Sequence, residues 1–450
     1  MSIGLIVTAR VKSSRLQEKV LQEINGRRTI DILLDHVIPS DDKWPVVLAI
    51  PESSDDDILE EIAKERGIQC YRGQNDSPLH RLYECAYINE FEHVIRVTAD
   101  DILIDQALLR AQINFHIKGN NDYTYMRRCP EGVAAEIIRT DALKAVIDKV
   151  GRKPVEFVSY YLKTNDFRYM EYFPPSPGNE FQFSFRLTMD YYEDLILLRV
   201  IHSVLKQPFG TLDIINFLKQ NKYLLNINKL PEVTVYTCNY NTAKYVKDCI
   251  ESVMSQSFKD FEFIIIDDCS TDDSMNAITE KVSEYGRDER FKIQIIRNSE
   301  NMGLPACCNK ILSLARGKHI IRIDSDDILA HNAIERMLEQ TRIEDTAGCI
   351  TGYYNAKEQL SITSETLTNE WHPAGCLLNT WTVNELKYKE ELEYLEGNDF
   401  FKRFRRNYKI SFIPEPLWTY RSRPGQKTAQ KDHPNMLKEN MENEDSSHRR

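Results

Sequence analysis

Two distant stretches of this chain read almost alike. Arg96-Val97-Thr98-Ala99-Asp100-Asp101-Ile102-Leu103 returns as Arg322-Ile323-Asp324-Ser325-Asp326-Asp327-Ile328-Leu329. In both, an apolar run ends in side-by-side carboxylates, and each copy follows the opening strand-like run of its half by a comparable distance. Few folds accept that pattern twice. A buried parallel strand would place its terminal acids at the carboxyl edge of a sheet, where open α/β folds bind ligands. One copy alone would be explained by acidic residues facing a helix dipole. Two copies in matching positions point to two similarly built nucleotide-binding domains.

The runs between the copies support this. Ile3–Thr8, Pro45–Ile50 and His93–Thr98 are strand-like, and the segments between them carry helical spacing. One such helix is expected to start near Ser54, to bury Ile58, Leu59 and Ile62, and to stop at Gly67. The pattern restarts after Leu230-Pro231 with Val233–Thr237, Phe261–Ile266, Lys292–Ile296 and His319–Ile323 as strands, and with helices over Tyr245–Gln256 and Leu304–Ala315. Strands alternating with helices imply right-handed crossovers and mostly parallel sheets. The expected class is α/β, with two Rossmann-like domains in tandem at 1–228 and 232–428 and a disordered polar tail at 429–450.

Composition narrows the function. With 58 basic and 69 acidic side chains among 450 residues, the formal charge is −11. That excess argues against a nucleic-acid partner bound by phosphate neutralisation. No run approaches the roughly 20 apolar residues that span a bilayer, so no integral membrane segment is expected. The first ten residues lack a basic leader and read as a strand. The ten cysteines are scattered without a C-x-x-C pair, which suits a reducing, cytoplasmic compartment.

In the second half, Asp324 and Asp326 stand on alternate residues at a strand end, so both carboxylates can approach one divalent cation bridging a diphosphate. Asp267 and Asp268 end another strand, where an Asp suits ribose hydroxyls or a base N–H. With Val233–Asn241, Ser252–Phe258, Asp267–Asp272, Glu300–Gly303, Asn309 and Ala315–Lys318, these acids make residues 232–425 resemble an inverting family 2 glycosyltransferase of GT-A fold. The resemblance implies that Asp267, with Asp268, and the backbone from Thr237 to Asn239 hold the nucleotide, and that Asp326, with Asp324, binds Mg²⁺ or Mn²⁺. Cys238 occupies a slot where proline is usual. Such enzymes carry an acidic pair well after the D-x-D, and Glu396-Gly397-Asn398-Asp399 is the match here. The adjacent Glu-Asp is not intact, so the base is either Glu396 or Asp399, with Asp399 preferred. Arg421 and Arg423 resemble the basic loop that closes on donor phosphates.

In the first half, Arg10, Lys12, Arg15 and Lys19, with Ser13 and Ser14, follow the opening strand, a composition able to wrap a triphosphate. Together with Tyr71-Arg72-Gly73, Pro130-Glu131-Gly132, Glu136, Arg186–Asp190 and Glu193-Asp194-Leu195, residues 1–225 resemble the cytidylyltransferases of the spore-coat polysaccharide and acylneuraminate class. This resemblance implies that Arg10, Ser13, Ser14, Arg15 and Lys19 bind the triphosphate of CTP, and that Asp100 and Asp190 hold the cation. Several positions depart from the family. Gln17-Glu18 replaces Pro-Gly, Ala99 replaces a glycine, and Ala134 stands where an acid is common. Glu18 is expected to weaken triphosphate binding unless it points away.

The resemblances imply a bifunctional enzyme of surface-glycan biosynthesis, with a CTP-dependent nucleotidyltransferase fused to a metal-dependent glycosyltransferase. Its partners would be CTP, a nucleotide-sugar donor of UDP type and a glycan or sugar acceptor, and self-association is compatible with this reading. The alternative is a glycosyltransferase with a degenerate, docking first domain.

Overall fold

The computed structural model describes residues 2–422 except 14, 40–43, 152–154, 156–157, 165, 175–180, 182–184, 286–291, 355–359, 362–373 and 393–395. The chain divides into two compact units, Met1–Lys229 and Leu230–Arg450. The expected tail at 429–450 lies outside the described residues.

In the first unit, the strands run across the sheet in the order Gln69–Gly73, Val46–Pro51, Ile3–Thr8, His93–Thr98, Glu136–Arg139, Tyr123–Met126 and Tyr169–Tyr172. The first four are parallel. Alternation explains why they read as unbroken apolar runs. Leu5, Val7, Leu48, Ile50, Ile95 and Val97 enter one core, while Ile6, Val47, Ala49 and Val94 enter another on the opposite face. A strand covered on both sides has no polar face.

The second unit repeats the scheme. Lys292–Arg297, Phe261–Asp267, Val233–Asn239 and His319–Arg322 are parallel neighbours in that order. Beyond them lie Leu377–Asn379, Gly348–Tyr354, Ser411–Thr419 and Ile328–Leu329. Val233, Val235, Phe263, Ile265 and Ile321 pack on one face, and Tyr236, Ile264, Ile266 and Ile320 on the other.

Three expectations need correction. The first sheet is mostly parallel although Glu136–Arg139 joins antiparallel, but the second is evenly mixed, because Leu377–Asn379 joins antiparallel to the central strands and begins a mixed half. The helix expected at Ser54 is capped by Ser53, whose hydroxyl accepts the Asp55 N–H, and the α-helix proper is Asp57–Glu65. The other two named helices are shorter, Val246–Met254 and Leu304–Leu314. The repeated segments occupy equivalent places: His93–Thr98 and His319–Arg322 each pair in parallel with the opening strand of their unit.

The first unit also encloses neutral imidazoles. His93 Nδ1 lies 3.0 Å from His116 Nε2, and His116 Nδ1 lies 2.9 Å from Thr124 Oγ1, all three residues being buried. Burial, then the neighbouring His93, pushes the His116 imidazole down to about 3. The unfolded chain, with histidine near its ordinary value of about 6.5, takes up this proton first. Stability from this site is therefore complete above pH ~6.5 and falls as pH drops toward ~3, by at most about 1.4 kcal/mol per pH unit. Urea unfolding between pH 7.5 and 5 should show a steeper loss for the native chain than for His116→Gln. Equal slopes would remove His116 as the source.

Candidate active sites at two strand ends

In the first unit, the loop after Ile3–Thr8 brings Lys19 between two aspartates. Lys19 Nζ lies 2.5 Å from Asp100 Oδ2 and 3.3 Å from Asp190 Oδ1. Arg15 Nη2 reaches the same Asp190 oxygen at 3.2 Å, and the Arg15 guanidinium stands over the Tyr191 ring. Burial opposes ionisation of Asp100, but the Lys19 ammonium prevails and holds its carboxyl below the usual range. The adjacent Asp101 goes the other way, pushed up to about 7 by burial and by the Asp100 charge. Arg10 is exposed and Ser13 half-buried in the same loop, and Ser14 lies outside the described residues.

Asp194 sets the position of Asp190, a role the sequence reading did not assign. It is 1% exposed. Its Oδ2 accepts the Asp190 N–H at 2.9 Å, the Tyr191 N–H at 2.8 Å and Arg186 Nη2 at 3.1 Å, while Oδ1 accepts Asn228 Nδ2 at 2.9 Å. The two acid loops are also tied directly, since Met189 N–H donates to the Asp100 carbonyl at 3.0 Å. The signal for Asp194 was available, because it is the third residue of helix Tyr192–Val204, where a carboxylate caps the backbone.

Glu18 resolves one departure. Its φ of 48° is left-handed, the conformation that a glycine supplies without strain, and its carbonyl accepts the Leu21 N–H at 2.8 Å. The turn that presents Lys19 survives the substitution, and the Glu18 side chain is exposed.

In the second unit, Thr237, Asn239 and Asp267 are completely buried, and Asp268 nearly so. Thr237 Oγ1 donates to the Ile323 carbonyl at 2.8 Å, and Asn239 Nδ2 donates to Asp267 Oδ1 at 2.8 Å. Asp267 also accepts the Ser270 hydroxyl at 2.6 Å. Asp268 accepts Asn298 Nδ2 at 2.8 Å and the Met302 and Gly303 N–H groups at 2.9 Å each. The Asp267 carboxylate expected to hold a nucleotide is thus engaged by Asn239 and Ser270, whereas the part expected of Thr237–Asn239 is their backbone. Loops leaving adjacent strand ends have backbone donors to satisfy, and Asp267 and Asp268 satisfy those of Ser270, Met302 and Gly303 from inside.

The D-x-D segment crowds three carboxyls together. Asp324 Oδ1 accepts Arg322 Nε at 2.8 Å, Asp326 is buried, and Asp327 Oδ1 accepts the Arg421 N–H at 2.9 Å. Burial, then Asp324 and Asp326, drives the Asp327 carboxyl well above the usual carboxylate range, and its Oδ2 has no hydrogen-bond partner. Arg421 is neither solvated nor distant. It donates to the Asp326 carbonyl, to Asp248 Oδ2 at 2.6 Å and to the Tyr245 carbonyl at 3.0 Å. Arg423 lies outside the described residues.

The two base candidates separate. Glu396, 8% exposed, begins helix Glu396–Asn407, and its Oε1 lies 3.6 Å from Arg322 Nη1. Asp399 has one oxygen 2.8 Å from Lys389 Nζ and the other 2.8 Å from Arg403 Nε. Both oxygens of Asp399 are thus engaged by cations.

Among the described residues, no group of three or more His, Cys, Asp and Glu side chains forms a ready cation cage. The residues present nonetheless fit a hard divalent ion. Asp100 and Asp190 already converge on one ammonium, and the unpartnered Asp327 oxygen marks an excess of acid that a cation would offset. A cavity of about 350 Å³ in the first unit, lined by His36, Leu103–Ala107 and Gln207–Thr211, is not such a site. Its Asp105 is already spent on the Ala107, Leu108 and Thr211 N–H groups and the Thr211 hydroxyl.

Both units thus set acids beside basic side chains at the carboxyl ends of parallel strands, where open α/β folds bind ligands. Residues 5–230 match the family described as cytidylyltransferase, and residues 234–425 match glycosyl transferase family 2. The chain belongs to the first family through its N-terminal half and to the second through its C-terminal half. The spore coat polysaccharide biosynthesis protein SpsF of Bacillus subtilis (strain 168) is 29% identical over 206 residues, 44% of this chain and 86% of its own length. An uncharacterized glycosyltransferase of Methanocaldococcus jannaschii is 30% identical over 210 residues, 42% of this chain and 71% of that protein. A solved cytidylyltransferase from Leptospira borgpetersenii serovar Hardjo-bovis has 26% identity and a TM-score of 0.46, covering 51% of this chain and 98% of that one. Among the described residues, no helix is long and apolar enough to cross a membrane.

The left-handed Glu18 yields a direct prediction. Holding a non-glycine residue there costs about 1–2 kcal/mol, offset in part by the chain entropy that glycine gives up. Glu18→Gly should raise the first unit's melting temperature by a few degrees, corresponding to about 1 kcal/mol. A lower melting temperature would show that the Glu18 side chain makes a stabilising contact.

Proposed function

We propose that the chain carries two activities of surface-glycan assembly in a reducing, cytoplasmic compartment. The first unit joins the cytidylyl group of CTP to a sugar-type nucleophile and releases pyrophosphate. The second transfers a glycosyl unit, with inversion, from a nucleotide-diphosphate sugar of UDP type to a glycan or sugar acceptor. The observation carrying the first half is the convergence of Lys19 and Arg15 on Asp100 and Asp190, which survives the loss of the family's Pro-Gly. The naming of the Bacillus subtilis relative for polysaccharide biosynthesis supports the glycan setting.

In this reading, Arg10, Ser13, Ser14, Arg15 and Lys19 draw the triphosphate to the acid pair, and in-line positioning does most of the catalytic work. Asp100 and Asp190 would hold Mg²⁺ in the first unit, and Asp324 and Asp326 Mg²⁺ or Mn²⁺ in the second. When bound there, a divalent ion neutralises charge on the departing phosphates. Thr237, Asn239, Asp267 and Asp268 shape the nucleotide loops from within, leaving backbone groups to face the ligand. Arg421, pinned beside Asp326 and Asp327, together with Arg423, would neutralise charge on the leaving diphosphate. Glu396 takes the proton of the attacking hydroxyl. This reverses the preference for Asp399, whose oxygens are committed to Lys389 and Arg403.

With Mn²⁺ and a panel of UDP-sugars, Asp326→Ala and Glu396→Gln should each lower UDP release by about 100-fold or more without changing the melting temperature. Asp399→Asn should keep turnover within about tenfold and melt lower, as expected for a partly buried ion-pair hub. Full activity in Asp326→Ala would overturn the metal-assisted mechanism. An inactive Asp399→Asn beside an active Glu396→Gln would restore the original assignment. For the first unit, the full chain is given CTP, Mg²⁺ and a panel of sugar phosphates and nonulosonic acids. Acceptor-dependent pyrophosphate release is expected, and its absence across the panel would favour the docking reading.

A further inference from the structure

Strand His319–Arg322 ends in a guanidinium where its neighbours are isoleucines. Arg322 is 3% exposed. Its Nε donates to Asp324 Oδ1 at 2.8 Å, its Nη1 lies 3.6 Å from Glu396 Oε1, and neither Nη atom makes a well-formed hydrogen bond, with the Tyr388 hydroxyl as a further neighbour. Buried donors without a full hydrogen bond are costly to the fold, so such a pair persists only where something requires it. The matching residue of the first unit, Arg96, is closed by an ion pair with Glu136. The open guanidinium therefore belongs to the second unit's own chemistry.

The surroundings fix where its arms point. The Gly375 N–H donates to the Arg322 carbonyl at 2.8 Å and holds the backbone. Tyr388 stacks on Phe400 of the Glu396 helix at 4.5 Å between centroids, and its hydroxyl lies 3.3 Å from that of Tyr236. That stack connects the helix bearing Glu396 to the strand Val233–Asn239, leaving the Glu396 carboxylate a short movement from the unmade donors.

We propose that Arg322 is a positioning residue that couples the leaving-group side of the glycosyl transfer to its acceptor side. Nε orients Asp324 for the cation, and Nη1 draws Glu396 Oε1 into line, leaving the other Glu396 oxygen to take the proton of the attacking hydroxyl. Were Asp324 to hold a divalent ion, Arg322 would be free to lean further toward Glu396 Oε1, which would tie cation binding to alignment of the base. Lysine offers one ammonium and cannot serve both carboxylates at fixed angles, whereas the guanidinium fork can. This inference rests on Glu396 being the base and Asp324 a cation ligand.

The test uses full-length Arg322→Met and Arg322→Lys, with melting temperature, UDP release from UDP-sugars, and calorimetric titration with Mn²⁺ alone. Arg322→Met should lose about 100-fold in kcat with the donor KM held within about threefold, and Arg322→Lys about tenfold. Mn²⁺ affinity should stay level or tighten, because a positive charge beside Asp324 has gone. A kcat within threefold of the native chain in a folded Arg322→Met would overturn the proposal. So would Mn²⁺ affinity falling in step with kcat, since Arg322 would then only build the aspartate loop. If Arg322→Met does not fold, Arg322→Lys decides by the same readings. An active Glu396→Gln sinks the base assignment and this inference with it. An inactive Glu396→Gln beside fully active Arg322 variants sinks this inference alone.

Discussion

Carboxylates lodged side by side at the end of a buried strand repel one another, and both halves of this chain are organised around containing that repulsion. The first half brings in an ammonium from outside the strand, with Lys19 reaching across to Asp100 and Asp190. The second uses guanidinium groups, Arg322 from the strand itself and Arg421 from the segment after Ser411–Thr419. In both, the second acid of the adjacent pair is pushed toward its protonated form by burial and neighbouring acids: Asp101 up to about 7, and Asp327 well above the ordinary range. A carboxyl that stays protonated beside an ionised one removes a like-charge contact and remains a hydrogen-bonding group. The repeat in the sequence is therefore a repeat of an electrostatic solution as well as of a strand.

That solution explains which parts of the fold were legible. Parallel strands covered on both faces must be apolar at every position, so Ile3–Thr8, His93–Thr98 and Phe261–Asp267 stand out as runs. The mixed halves of the sheets use strands as short as Leu377–Asn379, too brief for a period to register. The acids were equally visible, because an Asp at the end of an apolar run is rare unless something holds it. Their partners were not. Asp267 and Asp268 look the same in sequence whether they face a ligand or a backbone N–H, and only the path of the Ser270 and Met302 loops decides. Glu18 shows the opposite case: the residue type argued against a glycine-like turn, and the surrounding backbone imposed one.

The choice between Glu396 and Asp399 turns on three residues of helix geometry. Three positions amount to about 300° of rotation, so the two side chains leave the helix on nearby but distinct lines. Asp399 lies four residues before Arg403, the spacing that lets opposite charges meet along a helix, and Arg403 also donates to the carbonyls of Leu386 and Lys387. Asp399 is thereby enlisted to hold the preceding loop. Glu396 stands in the first turn, where backbone N–H groups favour negative charge, and faces Arg322.

Packing makes that arrangement specific. Tyr388, Phe400, Phe404 and Tyr408 run as successive ring contacts of 4.5–6.3 Å, and Phe400, Phe401 and Phe404 bury one face of the helix in the core beneath the D-x-D strand. A helix seated by several aromatic side chains has little freedom to rotate, because each ring fills a fixed volume and close-packed interiors tolerate few alternative fits. The aromatic seat therefore selects which acid of Glu396-Gly397-Asn398-Asp399 faces the guanidinium. The adjacent Glu-Asp of the family is not intact in this stretch, so the seating of the helix, which turns Glu396 toward Arg322 and Asp399 toward Lys389 and Arg403, is what separates the two acids.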